Sequence, residues 1–213
     1  MSLSNEKISV ITIILTFLAC MFFLTMTDSD FAKENTIKEG IKIEQVLGTE
    51  TAIAVTQQAD KWFYDLIEKN NIEERTIRHF VPTEEEKARS RGMENMGDWL
   101  FPIVEDRVVG TFDMIFWIFK RIALMLIWLP LLVPLCLVAT FDGILQRRIK
   151  LENFAMASPL KQRIGTLGSV FCSCALMLWF FIPYAIDPQV APALLGIIAM
   201  LIGLSVGNMQ KRL

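Results

Sequence analysis

Four long apolar stretches are the feature that most constrains the fold of this 213-residue chain. An α-helix needs about 20 apolar residues to cross the hydrocarbon core of a bilayer. The stretches cover residues 8–26, 122–141, 164–186 and 190–207, and none of them contains a charged residue. The sequence therefore predicts an all-α integral membrane protein with four transmembrane helices.

The first stretch is predicted to remain in the protein as a transmembrane anchor, residues 1–26. Lys7 precedes the apolar run, as a basic residue does in a signal peptide. The run is longer than the core of a usual signal peptide, and residues 24–27 lack the small side chains that signal peptidase recognises. An uncleaved anchor is the interpretation that follows.

The distribution of Lys and Arg predicts the orientation, because cations in short loops are retained in the cytoplasm. The loop 142–163 contains five cations and two acidic residues, and Lys211 and Arg212 follow the last span. The connection between the third and fourth spans carries only Asp187. We therefore expect a multi-pass protein of the bacterial inner (cytoplasmic) membrane with both termini and the basic loop in the cytoplasm.

Residues 27–121, between the first and second spans, are then predicted to form a helical periplasmic segment. This segment holds 13 basic and 19 acidic residues, and it shows no strand-like alternation of apolar and polar positions. Apolar residues recur at helical spacing between Arg107 and Lys120, which predicts an amphipathic helix at the membrane interface. Trp99, Trp117, Lys120 and Arg121 are interpreted as its interfacial anchors. Residues 122–213 form the predicted three-span membrane domain.

Two patterns inside the spans concern helix geometry. Pro130 and Pro134 lie four residues apart in the second span and predict a kink there. Small residues recur every four positions in the last two spans, which favours close helix packing. Packing of that hairpin against itself, homo-oligomerisation and docking on another membrane protein are all compatible with the small residues, which are Gly165, Ser169, Ser173, Ala199, Gly203 and Gly207.

The composition argues against several classes of function. The chain has one histidine, His79, and its four cysteines all lie in the predicted spans. No nucleotide-binding, protease or esterase motif is present, so we expect no catalytic, cofactor or metal site and no enzymatic activity. A net charge of -2 argues against direct binding of nucleic acid. A small channel or transporter accessory subunit is the alternative, although the spans lack the ionisable residues that transport usually needs.

The second span and its flanks resemble a known family. Arg121 precedes a span that contains Trp128 and Pro130, and Asp142-Gly143 with the pair Arg147-Arg148 follows it. This pattern, joined to the four-span layout, resembles the integrating conjugative element membrane protein family, a domain of unknown function also found on conjugative plasmids. The resemblance implies a non-enzymatic inner-membrane subunit of a conjugative, type IV secretion-like DNA-transfer apparatus.

The resemblance carries no catalytic residues, so the site prediction concerns interactions. The expected role is that of a scaffold or docking partner for other membrane subunits of the apparatus, with the coupling ATPase as the candidate cytoplasmic partner and membrane lipids around the spans. We predict that the cytoplasmic end of the second span makes the contact, through Asp142, Gly143, Arg147, Arg148 and Lys150.

Overall fold

The computed structural model describes residues 5–80, 94–153 and 158–209, and in the helix that begins at Glu94 it describes side chains from residue 101 onwards. These residues are almost entirely helical and contain no strand, which confirms the predicted all-α fold class. A π-helical turn, Tyr64–Glu68, follows the third helix. The helices are α1 (Asn5–Met26), α2 (Ser29–Leu47), α3 (Thr49–Phe63), α4 (Ile72–Phe80), α5 (Glu94–Glu152), α6 (Pro159–Phe181) and α7 (Val190–Gly207).

Four of the helices are long and apolar enough to cross a membrane, as predicted: α1, α5 from Phe101 to Glu152, α6 and α7. In α1 the three threonine hydroxyls donate to backbone carbonyls of their own helix. The Thr12 hydroxyl donates to the Ile8 carbonyl at 2.9 Å, and the Thr16 hydroxyl donates to the Thr12 carbonyl at 2.8 Å. Such bonds remove the cost of exposing a polar group to lipid.

Helix α5 is longer than the sequence predicts. The expected interfacial helix, the second span and the first part of the expected basic loop form one helix of 59 residues that continues through Pro130 and Pro134. Prolines are tolerated inside membrane helices. A single glycine such as Gly110 or Gly143 costs a helix only about 1 kcal/mol, too little to end it.

The basic loop is correspondingly short. Because α5 ends at Glu152 and α6 begins at Pro159, Arg147, Arg148 and Lys150 lie in the last turns of a helix and not in a loop. The predicted C-terminal cations Lys211 and Arg212 and the side chain of Trp99 lie outside the described residues.

The chain divides into two compact units, which we describe separately. The polar unit comprises residues 20–124 and 181–187, and the apolar unit comprises residues 1–19, 125–180 and 188–213. The short connection between α6 and α7 thus belongs to the unit that contains α2, α3, α4 and the first part of α5.

In the polar unit, α2 lies parallel to α5. The Ser29 hydroxyl donates to the Asp113 carboxylate at 2.5 Å near the start of α2, and Lys120 donates to the Thr36 carbonyl at 3.3 Å two turns later. The helices approach closely where α2 begins, because a Cβ at Gly110 would overlap the Thr27 carbonyl oxygen. A small apolar core lies between them, formed by Ala32, Met114 and Trp117 with Leu24 packed against it.

Gly48 is the joint between α2 and α3. Its φ of 86° lies in the left-handed region that favours glycine, and its N–H caps α2 by donating to the Glu44 carbonyl at 2.9 Å. The end of α3 packs its aromatic rings edge-to-face on those of α5, with 6.4 Å between the Trp62 and Phe119 centroids and 5.7 Å between those of Phe63 and Phe116.

In the apolar unit, glycines bring helix backbones together. A Cβ added to Gly203 of α7 would lie 2.7 Å from the Ala139 carbonyl oxygen of α5, and one added to Gly143 would lie 2.6 Å from the Gly203 carbonyl oxygen. On the other side of α7, a Cβ at Gly165 of α6 would lie 2.7 Å from the Ser205 nitrogen. Helix α7 therefore packs on both α5 and α6.

Candidate functional site: a buried polar cluster

A buried ion pair lies at the centre of the polar unit. Glu39 of α2 and Arg121 of α5 each have a side chain that is only 1% exposed. The Arg121 Nε donates to Glu39 Oε1 at 3.0 Å, and the Arg121 Nη2 donates to Glu39 Oε2 at 2.7 Å. This two-point geometry is the strongest form of a carboxylate–guanidinium pair.

Trp117 contacts both members of this ion pair. Its indole Nε1–H donates to Glu39 Oε2 at 2.8 Å, and its ring lies under the Arg121 guanidinium, with 4.6 Å between the guanidinium carbon and the ring centroid. Trp117 and Arg121 are four residues apart on α5, so the helix itself sets this stacking. The carboxylate thus receives donors from two side chains, and the guanidinium has both an anion and an aromatic face as partners.

The same cluster binds the connection between α6 and α7. Residues 182–187 are not helical, so their backbone groups need partners from elsewhere. Arg121 supplies two, donating to the Ile182 carbonyl at 3.0 Å and to the Tyr184 carbonyl at 2.8 Å. The guanidinium is therefore shared between the Glu39 carboxylate and two carbonyls of the connection.

One face of α2 extends this binding surface. Asn35, Glu39 and Lys42 lie three or four residues apart and so share a helix face. The Asn35 side-chain oxygen accepts from the Ala185 N–H at 3.4 Å, while Lys42 donates to the Ala185 carbonyl at 2.9 Å and pairs with Asp187 at 3.1 Å. Helices α2 and α5 together hold an irregular segment mainly through its backbone atoms.

This arrangement corrects the interpretation of Trp117, Lys120 and Arg121 as interfacial anchors. Trp117 and Arg121 are 1% exposed and Lys120 is 7% exposed, so all three are buried among protein groups. Sequence reasoning also missed Glu39, because the residue stands among other charges of a polar helix and nothing local marks it. The sequence signal that could have indicated it is Arg121, which stands directly before an apolar run. A cation at this position requires a counter-ion once it is buried.

The residues predicted to make interactions at the end of the second span fall into two groups. Gly143 lies against Gly203, and Lys150 donates to the Gly207 carbonyl at 2.9 Å and to the Asn208 side-chain oxygen at 2.8 Å, so both contribute to packing on α7. Asp142 and Arg148 are exposed and Arg147 is half-buried. Neither arginine forms an ion pair with any residue that the structure describes.

The small residues of the last two spans also have different surroundings. Gly165 lies against α7, whereas Gly203 and Gly207 lie against Ala139, Gly143 and Gln146 of α5. The remaining three are Ala199, which is buried, Ser169, whose hydroxyl donates to the Thr166 carbonyl of its own helix, and Ser173, which is exposed.

The described residues contain no group of three or more His, Cys, Asp or Glu side chains that could hold a metal ion. The buried cluster consists of one carboxylate, one guanidinium and one indole whose donors and acceptors are directed at each other and at the backbone. Its chemistry is that of a structural clamp.

The class of this molecule is that of a multi-pass α-helical membrane protein, because four of its helices are long and apolar enough to cross a membrane. Its polar segment binds the connection between α6 and α7. The comparisons add the family. The family model described as IncC plasmid conjugative DNA transfer protein DtrJ-like matches residues 24–213, so the chain belongs to the DtrJ-like family and has a role in conjugation. The comparisons with curated proteins and with solved structures yield no match. The resemblance to conjugative-element and conjugative-plasmid membrane proteins is confirmed.

Proposed function

We propose that the protein is a non-enzymatic inner-membrane subunit of a conjugative, type IV secretion-like apparatus, in which it acts as a scaffold that docks the coupling ATPase. The observation that carries the proposal is membership of a conjugative DNA-transfer family across residues 24–213. A chain with four spans and no catalytic motif contributes to such an apparatus by binding its other subunits and lipids. It binds no DNA directly.

The proposed orientation places both termini in the cytoplasm and the segment 27–121 in the periplasm. Charge supports this orientation, because the cations after the second span outnumber the acidic residues near them. The contacts of Arg121 with Ile182 and Tyr184 support the alternation of sides, since they require the segment before the second span and the α6–α7 connection to share one membrane side.

The proposed docking surface is the exposed part of the end of α5, formed by Asp142, Arg147 and Arg148. Two arginines without an acidic partner among the described residues are free to bind an acidic surface. Gly143 and Lys150 support this surface by fixing α5 on α7.

The test combines purification and mating. The full-length chain, extracted into nanodiscs from donor cells, should co-purify with the coupling ATPase, as identified by mass spectrometry. The variant Arg147→Gln/Arg148→Gln should bind the ATPase at least about tenfold more weakly, the effect of losing about 1.4 kcal/mol of binding free energy, and should lower the transfer frequency. Neutral replacements avoid adding acidic residues next to the span.

The matched control is Lys69→Gln/Arg75→Gln, which removes two exposed cations from the segment between the first and second spans. This variant should transfer normally and keep the ATPase. Recovery of the wild-type chain with no secretion protein would contradict the proposed function, and normal transfer by a correctly inserted Arg147→Gln/Arg148→Gln variant would contradict the proposed docking surface.

A further inference from the structure

The end of the α2–α3 hairpin extends past the groups that cover the rest of α2. Glu39, Ile43 and Val46 follow one another at helical spacing on the buried face of α2. Glu39 and Ile43 are each 1% exposed, whereas Val46, one turn later, is 40% exposed. The groups that cover Ile43 therefore do not reach Val46. Residues 44–53, around the joint at Gly48, project from the polar unit, and we call them the hairpin tip.

The register of α2 against α5 shows which way the hairpin tip points. The two contacts that place these helices side by side each join residues 84 positions apart, so the helices run in the same direction. Both run toward the apolar run that begins at residue 122. A register of 84 places residue 38 level with residue 122, and α2 continues from there for nine residues to Leu47, a length of about 13 Å.

The α6–α7 connection marks the surface of the membrane. It joins two membrane-spanning helices through a few residues that are not helical, so it lies where those helices leave the bilayer. Asn35 and Lys42 of α2 both bind Ala185 in this connection, and Lys42 also pairs with Asp187. Because α2 continues past Lys42 toward the apolar run, the hairpin tip lies on the membrane side of these contacts.

The hairpin tip and the turn before it expose apolar side chains on more than one side. Ile41, Val46 and Ile53 are 50%, 40% and 51% exposed. Ile41 and Val46 are five residues apart, which separates them by about 140° around the helix. A single protein partner covers one side of a hairpin, whereas lipid surrounds a tip that is inserted into it. The distribution of these side chains therefore favours lipid.

The charges of the hairpin tip limit how deep it can go. Residues 43–54 contain no Lys or Arg and two carboxylates, Glu44 and Glu50. Attraction to anionic headgroups therefore contributes nothing, and burial of apolar side chains must provide the binding. The Glu44 carboxylate accepts from the Thr49 hydroxyl at 3.1 Å across the joint. Because a charged side chain is costly in the hydrocarbon core, the two carboxylates hold the tip at the level of the headgroups.

We infer that the hairpin tip inserts into the boundary between headgroups and acyl chains, in the leaflet on the side of the α6–α7 connection. Val46 and Ile53 contact the acyl chains, at the depth of about 5–10 Å that is typical of interfacial helices. The polar unit thus has a lipid contact of its own, in addition to the lipids around the spans. This inference goes beyond the proposed function and requires neither the coupling ATPase nor the name of the membrane side.

The test measures the depth of single positions by fluorescence quenching. The full-length chain, with its four native cysteines replaced by alanine, receives one cysteine at position 46 or 53, which is labelled with an environment-sensitive fluorophore. The protein is placed in nanodiscs of phosphatidylethanolamine and phosphatidylglycerol, with or without a lipid that carries a nitroxide near the top of its acyl chain. The nitroxide should lower the fluorescence at both positions at least about threefold, because a fluorophore at an interfacial depth lies beside it.

Position 66 is the matched control. Leu66 lies in the π-helical turn and is 53% exposed, as much as Ile53. Helix α3 runs back from Gly48, since its end packs on Phe116 and Phe119 of α5, so Leu66 lies away from the apolar run. A fluorophore at position 66 should lose little intensity to the nitroxide lipid and should be quenched by iodide in the water.

A second pair of variants excludes insertion driven by the fluorophore itself. With the fluorophore at position 41, Val46→Asp/Ile53→Asp should reduce its quenching by the nitroxide lipid at least about twofold, because charged residues now replace the apolar side chains of the tip. Tyr64→Asp/Leu66→Asp changes two equally exposed residues of the π-helical turn and should leave the quenching at position 41 unchanged.

Quenching by the nitroxide lipid at positions 46 and 53 that is no stronger than at position 66 would overturn the inference, as would unchanged quenching at position 41 in Val46→Asp/Ile53→Asp. Full access of iodide to positions 46 and 53 would do the same and would leave the tip free for a protein partner. None of these results bears on recovery of the coupling ATPase, so the inference and the proposed function can fail independently.

Discussion

Different interactions stabilise the interior of the polar unit and the interior of the apolar unit. In the polar unit the central contact is the ion pair between Glu39 and Arg121, which also binds the backbone of the α6–α7 connection. In the apolar unit the central contacts are backbone approaches at Gly143, Gly165 and Gly203, where a single added carbon has no room.

The difference follows from what each environment provides. Between membrane helices, apolar side chains gain little by leaving lipid, so close packing at small residues provides the attraction. The α6–α7 connection instead exposes backbone carbonyls, and these need donors. The two units should therefore respond to opposite kinds of substitution: loss of a charge in one and gain of a methyl group in the other.

The largest effect is expected from breaking the buried pair on one side. Arg121→Ala leaves the Glu39 carboxylate buried without its cation, and such an uncompensated charge typically costs about 3–5 kcal/mol. The variant should lose most of the cooperative thermal unfolding transition of the detergent-purified protein. Glu34→Ala, which breaks an exposed pair with Lys38, should change stability by about 0.5 kcal/mol or less. Equal effects of the two variants would show that the buried pair has no special role.

A substitution with opposite signs at two sites tests the apolar unit. Glycine to alanine inside a helix normally stabilises it by about 0.5–1 kcal/mol. At Gly196 the added Cβ would meet a Leu135 methyl carbon at 3.8 Å, an ordinary contact, so Gly196→Ala should raise Tm. At Gly203 the Cβ would lie 2.7 Å from the Ala139 carbonyl oxygen, so Gly203→Ala should lower stability by about 1–3 kcal/mol. A stabilising Gly203→Ala would contradict the close approach of α7 to α5.

The same contrast explains what could be predicted from the sequence. The four spans could be predicted from the length of the apolar runs alone, because the thickness of the bilayer sets a minimum length for a helix that crosses it. Close helix packing at Gly165 and Gly203 could be predicted from the four-residue spacing of small residues. The spacing does not reveal that Gly203 packs on α5 and Gly165 on α7. The continuous α5 was missed because Asp142 and Gly143 resemble the start of a loop.

The buried cluster could not be predicted because its members are far apart in the chain. Glu39 and Arg121 are 82 residues apart, and Arg121 and Ile182 are 61 apart. Several other carboxylates of α2 and α3 stand at helical spacing, and only the tertiary packing selects Glu39. A charged residue next to a span shows that a counter-ion is needed without showing which residue provides it.

The smallest effect should come from a carboxylate of the polar unit whose surroundings are opposite to those of Glu39. Glu73 of α4 is half-buried, and this burial raises its pKa. The nearby carboxylates of Asp113 and Glu68 raise the pKa further, and Lys33 lowers it only in part. Glu39 lies beside a guanidinium, whereas Glu73 lies among like charges, so removal of the charge should destabilise the first site and stabilise the second.

The sign of the pH dependence at Glu73 follows from its raised pKa. The folded protein holds this proton more tightly than the unfolded chain, so the contribution to stability is complete below the ordinary pKa of glutamate and declines as the pH rises through the raised value. Glu73→Gln should therefore raise Tm by about 1–2 °C at neutral pH, the scale of a half-exposed substitution, and change it little in acid. The control is Glu74→Gln, which removes an exposed carboxylate paired with Arg78 and should not raise Tm. A Glu73→Gln variant that is less stable at neutral pH would show that the carboxylate has a favourable partner, as Glu39 does, and the contrast between the two sites would fail.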